Sequence, residues 1–462
     1  MSSKRTSRIG NRNRSARTPA QESRPLEVIY LPISGLQVDP GNPRVHSEKQ
    51  IQQIAASIRN FGFVVPVLVN AAGRIIAGHG RVLAARQLGF SQVPTVSVEY
   101  LSEAQARALA LADNRISLSA TWNEQLLAEQ LQSLSVLDLD FRLEDLGFET
   151  TEIDLLFEGL KNNDTQGKDA ADALPEPSSG PPVSKVGDLW FLGPHRVLCG
   201  NALEERDYKC LLGFKRAAAI LTDPPYNVPI QGNVSGLGKR RHREFVMASG
   251  EMSEAQFTSF LTQAFGLLAR HSADGSLHYI FMDWKHLMEL LTAGREAYSE
   301  LKNMVVWVKD NAGMGSQYRS QHELVFVFKN GTGKHRNNIE LGRHGRYRTN
   351  VWQYPGANSF AGRNTGEGDV LAWHPSVKSV ALIADAIFDC TARDEIVLDA
   401  FLGSGTTVIA AERTGRVCFG LELDPLYVDT TVRRWQALAG KQAKHAASGR
   451  LFDDLEKEAL HV

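Results

Sequence analysis

Two short stretches carry residue types whose spacing can do chemistry. In the first, the apolar run from Ala217 to Thr222 is followed at once by Asp223, Pro224, Pro225 and Tyr226. The prolines fix φ, so the acid and the ring are presented rigidly. A rigid acceptor beside an aromatic plane suits a flat heterocycle with an exocyclic amine: Tyr226 can stack on the ring while Asp223 accepts a hydrogen from the amine. A proline-rich turn with a solvated Asp has the same letters; the attached buried-type strand weakens that alternative. In the second stretch, Glu395 to Thr407, an apolar strand containing Asp399 runs through Phe401 into a turn with Gly403 and Gly405, and then into a helix at Thr406. Glycines permit the tight turn and let a ligand approach the backbone. Glu422 ends the next strand, nineteen positions after Gly403, where an acid can hydrogen-bond ribose hydroxyls. The pairing implies an adenosine-containing cofactor, and a tight turn with a surface glutamate is the plainer alternative. No GxxxxGK(S/T) run occurs, so a P-loop phosphate cradle is not supported.

Three further groups are candidates for contact with anions. Lys239, Arg240, Arg241 and Arg243, with His242, form a basic cluster soon after Tyr226. The stretch from Lys334 to Arg348 adds Arg336, Arg343 and Arg346. Both can meet phosphates, and Arg side chains there can read bases; a solvated charge run is the alternative, and placement between the two motifs favours DNA contact. Near the amino end, Gly78, His79, Gly80 and Arg81 open a helix. Free backbone N–H groups with a guanidinium in the first turn make an anion site, against the alternative of a capped helix with an incidental histidine.

The elements that must position these groups follow from periodicity. Residues 1–25 read as a disordered basic arm, with Lys4, Arg5, Arg8, Arg12, Arg14, Arg17 and Arg24 against one acid, Glu22, and no apolar h-region of a secretory signal. Residues 26–160 read as a smaller α+β unit. Ser47 caps a helix with Ile51, Ile54, Ala55 and Ile58 on one face, and Gly62 stops it. Short strands follow at Val64 to Asn70 and Arg74 to Ala77, then helices at Ser102 to Ala112, Asn123 to Leu134 and Thr151 to Leu160. Residues 161–185, with Pro175, Pro177, Pro181 and Pro182, read as a linker. Residues 186–440 alternate strands (Ala217 to Thr222, Ser276 to Met282, Met304 to Lys309, Glu323 to Lys329, Glu395 to Phe401, Val417 to Leu423) with helices. That is the pattern of a doubly wound α/β sheet, with an antiparallel edge hairpin between Trp307 and Gly331. Residues 441–462 read as a polar tail. The 462 residues are 43% hydrophobic and 22% charged, which excludes a wholly disordered, collagen-like or disulfide-stapled chain. No apolar run reaches the ~18 residues that span a bilayer. Lys+Arg total 51 and Asp+Glu 52, so nucleic-acid binding must come from local patches. The four cysteines form no CxxC pair, which fits a reducing, cytoplasmic setting.

The two motifs together resemble a known family. Phe401-x-Gly403-x-Gly405 with Asp223-Pro224-Pro225-Tyr226 resembles the amino-group DNA methyltransferases that use S-adenosylmethionine, in the permuted β-class order. His195 to Asn201, Trp307 to Lys309, Tyr318 to Glu323 and His374 to Lys378 match further segments in sequence, so the resemblance covers about Gly187 to Arg434. It implies a Rossmann-like domain, S-adenosylmethionine as cofactor, duplex DNA as partner and no metal. It assigns catalysis to Asp223, Pro224, Pro225 and Tyr226, and the cofactor to Asp399, Phe401, Gly403, Gly405, Thr406, Glu422, Asn201 and Lys378. Asn201 stands where the family usually has Asp, and Ser379 where it has a last proline. The implied reaction is direct transfer to the exocyclic amine (N6) of an adenine flipped from the duplex and stacked on Tyr226. Other readings are N4-cytosine or RNA methylation, and a DNA-binding regulatory protein whose methyltransferase half is non-catalytic. A homodimer is compatible with the sequence. The segment from Leu26 to Leu134 resembles the ParB/sulfiredoxin-like superfamily through Asn42-Pro43-Arg44, Ile76 to Arg81 and Ala112 to Arg115. That resemblance implies nucleotide or DNA-phosphate binding at the N-terminal turn; sulfiredoxin chemistry is excluded because the first cysteine is Cys199.

Overall fold

The computed structural model describes residues 25–460 apart from 118–119, 136, 138, 162–169, 174, 176–179, 229–249, 311, 313–316, 343–345 and 357–377. The basic arm as far as Arg24, the cluster of Lys239, Arg240, Arg241 and Arg243, Arg343, and the motif residues His374 to Val377 lie outside the described residues. The chain divides into two compact units, Met1–Phe148 and Glu149–Val462.

In the first unit, β1 (Val28–Pro32), α1 (Glu48–Phe61), β2 (Val67–Val69), β3 (Ile75–Ala77), α2 (His79–Gln87), β4 (Gln92–Ser97), α3 (Glu103–Ser117) and α4 (Glu124–Ser135) follow in order. The strands form a sheet in the order β1-β4-β2-β3. Ser47 caps α1 by accepting from the Gln50 N–H, and Gly62, with φ +80°, ends it. Ala55 and Ile58 of α1 pack on Ala84 of α2. The two helices approach so closely that a Cβ on Gly80 would stand 2.9 Å from Ile54 Cδ1 and 3.1 Å from the His46 ring.

The second unit contains α5 (Thr150–Lys161), β5 (Leu189–Leu192), β6 (His195–Cys199), α6 (Glu205–Leu212), β7 (Ala217–Thr222), α7 (Glu254–His271), β8 (Ser272–Met282), α8 (Leu287–Ala297), β9 (Glu300–Val308), β10 (His322–Lys329), β11 (Val351–Gln353), α9 (Val380–Cys390), β12 (Ile396–Asp399), α10 (Thr406–Thr414), β13 (Val417–Glu422), α11 (Pro425–Ala439), β14 (Lys444–His445) and α12 (Phe452–Leu460). Among the described residues they build a ten-stranded sheet ordered β11-β9-β10-β8-β7-β12-β13-β6-β5-β14. The middle run from β8 to β6 is parallel. Its strands alternate between two cores: Ala219, Leu221, Val397 and Cys418 face one, with Ile383 of α9, Val408 of α10 and Val432 of α11. Ala217, Ile220, Leu398 and Phe419 face the other, with Tyr208 of α6, Phe257 of α7 and Leu290 of α8. Burial on both faces explains why these strands read as continuous apolar runs. The architecture is the doubly wound α/β sheet expected from the sequence.

Three sequence expectations need correction. The hairpin of β9 and β10 is antiparallel, with Trp307 opposite Glu323, but it is not the edge, because β11 adds in parallel outside β9; Trp352 anchors it by stacking on Tyr279 at 6.2 Å between centroids. Residues 441–460 are not a plain polar tail. β14 pairs with β5, and the fully buried Phe452 of α12 meets Trp190 edge-on at 5.2 Å. One aromatic in a polar stretch is a weak signal until its partner is known. Finally, α5 and parts of the proline-rich stretch belong with the sheet. Asp154 of α5 accepts from both terminal nitrogens of the fully buried Arg416, at 2.9 and 2.8 Å. Asp429 accepts from the Val183 and Ser184 N–H groups at 2.7 and 3.0 Å.

Candidate active site

The parallel strands turn their carboxyl ends to one edge of the sheet, where ligands bind in open α/β folds. There β7 delivers Asp223, β12 delivers Asp399 and the glycine turn, and β13 delivers Glu422. β10 is antiparallel to β8, with Leu324 opposite Met282, so its first residues reach the same edge and bring Glu323. β9 ends beside it and brings Lys309.

Asp399 joins the two motifs. Its Oδ1 accepts from Thr222 Oγ1 at 2.8 Å and from the Phe401 N–H at 3.1 Å, and its Oδ2 accepts from Thr407 Oγ1 at 2.7 Å. The residue before Asp223 and the first turn of α10 therefore share one carboxylate. Burial pushes that carboxyl up to about 6, against the pull of the three hydrogen bonds. The acid-and-ring corner is pinned from its other side by Asn227, which adopts a left-handed φ of +54°, a conformation asparagine tolerates. Its Oδ1 accepts from the Gly250 and Met252 N–H groups, both at 3.1 Å, and its Nδ2 donates to the Met252 carbonyl at 2.7 Å.

The glycine turn has the backbone that its residues require. Gly403 and Gly405 have φ of +55° and +83°, and a Cβ on Gly405 would lie 2.6 Å from the Thr431 side chain. Glu422 Oε2 accepts from the Gly403 N–H at 2.7 Å, and Oε1 from the Asp424 N–H at 2.9 Å. Burial pushes this carboxyl up to about 7. Each oxygen keeps a lone pair for a ribose hydroxyl, so the residues present fit an adenosine-bearing cofactor. Thr406 differs from expectation in that its hydroxyl accepts from Arg434 at 3.0 Å, inside the fold. Phe401 tilts against Phe260, 6.0 Å between centroids. Asn201 follows β6, which pairs with β13 so that Cys199 lies opposite Glu422; its Oδ1 accepts from the Leu203 N–H at 2.9 Å.

Around Asp223 the charges are dense. Lys378 Nζ lies 2.5 Å from Asp223 Oδ2 and 3.2 Å from Glu323 Oε2. Lys309 bonds to Glu323 Oε1. The Tyr226 hydroxyl donates to Asp223 Oδ1 at 2.5 Å, with Glu323 Oε2 at 3.3 Å. Burial pushes Asp223 up, against the pull of Lys378. Burial would also raise Glu323, but Lys378 and Lys309 together hold it down at about 2. Burial raises the Tyr226 phenol well above its ordinary value, helped by Asp223 and Glu323. Lys378, expected beside the cofactor, thus sits on Asp223. Glu323, Lys309 and Asn227 were not named as site residues from sequence; Glu323 and Lys309 lay within segments matched to the family without a role.

The described members of the second basic stretch do not face this edge. Arg336 pairs with Glu395 at 3.0 Å, just before the amino end of β12, so it lies at the opposite edge of the sheet from Asp223. Arg346 is buried among Asp385, Asp389 and Glu158, at 3.3, 3.0 and 3.5 Å. Arg346 holds the fold together from inside and Arg336 pairs at the surface, uses that a charge run in sequence does not distinguish from phosphate contact.

In the first unit the N-terminal turn has the expected shape. Gly78 caps α2 in the left-handed region, φ +102°. Arg81 Nη2 donates to the Pro66 carbonyl at 3.2 Å. Among the described residues, the buried Arg81 Nε and His79 Nε2 have no hydrogen-bond partner. Burial lowers both pKa values. Arg44 donates to Asn114 Oδ1 at 2.5 Å, which links two of the three resemblance segments.

Comparison with known proteins agrees with both halves. Residues 217–433 match the DNA methylase family, residues 17–115 the ParB N-terminal domain and residues 125–186 the ParB-methyltransferase HTH domain. Over 83 residues the chain is 41% identical to the ParB-like nuclease domain-containing protein YnaK of Escherichia coli K12, covering 18% of this chain and 95% of that protein. Over 148 residues it is 31% identical to the Type II methyltransferase M.ScaI of Streptomyces caespitosus, covering 32% of this chain. The chain spans about half, 47%, of the length of M.ScaI. The solved structure of TTHA0409, a putative DNA modification methylase from Thermus thermophilus complexed with S-adenosyl-L-methionine, is similar at a TM-score of 0.37 and 20% identity, over 53% of this chain and 93% of that one. The amino-terminal segment belongs with the ParB-like proteins, and residues 217–433 match the N6/N4 DNA methylase family.

Proposed function

We propose that this chain transfers the methyl group of S-adenosylmethionine to the exocyclic N6 amine of an adenine flipped out of duplex DNA. The observation that carries the reading is the Asp399 bridge, which joins the acid-and-ring corner to the glycine turn through Thr222 and Thr407. Glu422, Asn201 and the Gly403–Gly405 backbone hold the adenosine part of the cofactor, with Phe401 at its side. The bound cofactor supplies an electrophilic sulfonium methyl. The amine is a poor nucleophile because its lone pair is delocalised into the ring. Asp223 and the Pro224 carbonyl accept its two hydrogens and localise that lone pair, Tyr226 stacks on the base, and Pro225 fixes the corner. As the N–C bond forms the C–S bond breaks, and the surplus amine proton passes to Asp223. Lys239, Arg240, Arg241, Arg243 and Arg343 are the basic groups assigned to the duplex. In the N-terminal unit, Gly78, His79, Gly80 and Arg81 form the anion site for a nucleotide or DNA phosphate, supported by the two unpartnered buried nitrogens there.

The test is mass spectrometry of nucleosides from DNA incubated with the protein and cofactor, with Asp223→Ala as control. N6-methyladenine with wild type, and none with the variant although cofactor binding is kept, is the expected result. N4-methylcytosine would move the target to cytosine; equal turnover by the variant would reject the catalytic assignment.

A further inference from the structure

The charges around Asp223 exceed what holding a base requires. Four ionisable side chains arrive from four elements: Asp223 after β7, Lys309 after β9, Glu323 at the start of β10 and Lys378 just before α9. Lys378 is only 6% exposed. Its Nζ stands over the rings of Phe281, Trp307 and Tyr226 at 5.1, 5.7 and 5.9 Å, and its hydrogen bonds go to the two carboxylates. The cluster carries two positive and two negative charges and closes on itself. A buried ion pair is on average no more stabilising than well-packed apolar side chains of the same volume. Stability alone therefore does not account for a lysine placed here.

We propose that Lys378 and Glu323 are positioning residues for the transfer: Lys378 keeps Asp223 a charged acceptor aimed at the amine, and Glu323 anchors Lys378 while limiting its pull on Asp223. The proposal rests on the methyl-transfer reading and gives two residues, remote in sequence, a role in it. A protonated Asp223 loses acceptor capacity towards an amine hydrogen, and both burial and the negative charge of Glu323 favour protonation. Lys378 opposes them. The groups facing Asp223 are Tyr226 on its own loop, Lys378, Glu323 with Lys309 behind it, and Asp399 on the neighbouring strand; Asp283, after β8, acts on Tyr226.

Two isosteric or near-isosteric variants then have opposite effects. Lys378→Gln removes the counter-charge and should raise the acid limb of the single-turnover rate by ~1–3 pH units. Glu323→Gln removes the competing carboxylate and should lower that limb. Lys378→Arg should restore most of the wild-type profile. Cofactor affinity should change less than about twofold in all three, since the charges being altered face the base. Limbs that stay put or move together would overturn the proposal, as would a main effect on cofactor affinity, which would return Lys378 to the cofactor site. A wild-type protein without transfer to any DNA would instead defeat the methyl-transfer reading. The cluster is still readable in that case: the pH dependence of the stability difference between Asp223→Asn and the parent, in each background, reports the Asp223 carboxyl with no turnover. Its midpoint should move up with Lys378→Gln and down with Glu323→Gln, and an unmoved midpoint overturns the proposal.

Discussion

Asp399→Asn tests how the two loops are joined. Asparagine keeps one acceptor oxygen for the Thr222 hydroxyl and the Phe401 N–H, and its amide can donate to Thr407 Oγ, which accepts after rotating. The bridge survives and the charge goes. In the folded protein the Asp399 carboxyl is raised from 3.8 to about 6, mainly by burial. A shift of about two units corresponds to about 3 kcal/mol. The sign follows from proton binding. Between about pH 4 and 6 the native state keeps a proton that the unfolded chain has released, so wild-type stability falls as pH rises through this window. The variant has no proton to lose. Urea unfolding of both proteins from pH 4 to 8 should show the variant gaining about 3 kcal/mol relative to wild type, nearly all of it by pH 7. A difference that is flat with pH would mean that Asp399 is not the desolvated bridge described here.

Two other substitutions probe separate parts of the second unit. Gly405→Ala forces a Cβ to within 2.6 Å of Thr431, whose hydroxyl donates to the Gly403 carbonyl at 3.2 Å, at a φ that costs an alanine about 1–2 kcal/mol; calorimetry should show at least a tenfold loss of S-adenosylmethionine affinity, and unchanged affinity would remove the turn from the cofactor site. Phe452→Ala empties the packing against Trp190 and should cost about 3–5 kcal/mol of unfolding free energy, whereas a loss below about 1 kcal/mol would restore the reading of a dispensable tail.

What could be read from the sequence was what local pattern encodes. β7 spans the residues its apolar run indicated, Ser47 and Gly62 bound α1 as their types require, and the glycine turn joins a strand to a helix. Contacts that depend on topology were not legible. Lys378 lies 155 residues from Asp223, and Asp154 lies 262 from Arg416. Nothing in a single sequence pairs them until the order of strands is known. Glu323 was visible as a letter in a matched segment, yet its reach to Asp223 follows only from β10 running antiparallel beside β8. Charged side chains misled for the same reason: Arg346 stood as a candidate for DNA contact, and it is buried against Asp385, Asp389 and Glu158.

The same electrostatics bears on the proposed contact with DNA. Residues 125–186, which match an HTH domain, hold thirteen Asp or Glu against four Lys or Arg. Phosphate contact releases counterions only where positive charge neutralises the backbone, and a segment with nine excess negative charges repels a duplex. One of its acids, Asp154, is committed to Arg416 inside the second unit. Within this segment Asp154 therefore serves the fold rather than the groove. Glu129 and Glu152 are exposed, and changing both to Gln should leave DNA affinity in moderate salt within about twofold of wild type. A tenfold gain on removing these two charges would put the segment against the phosphates and reverse the argument.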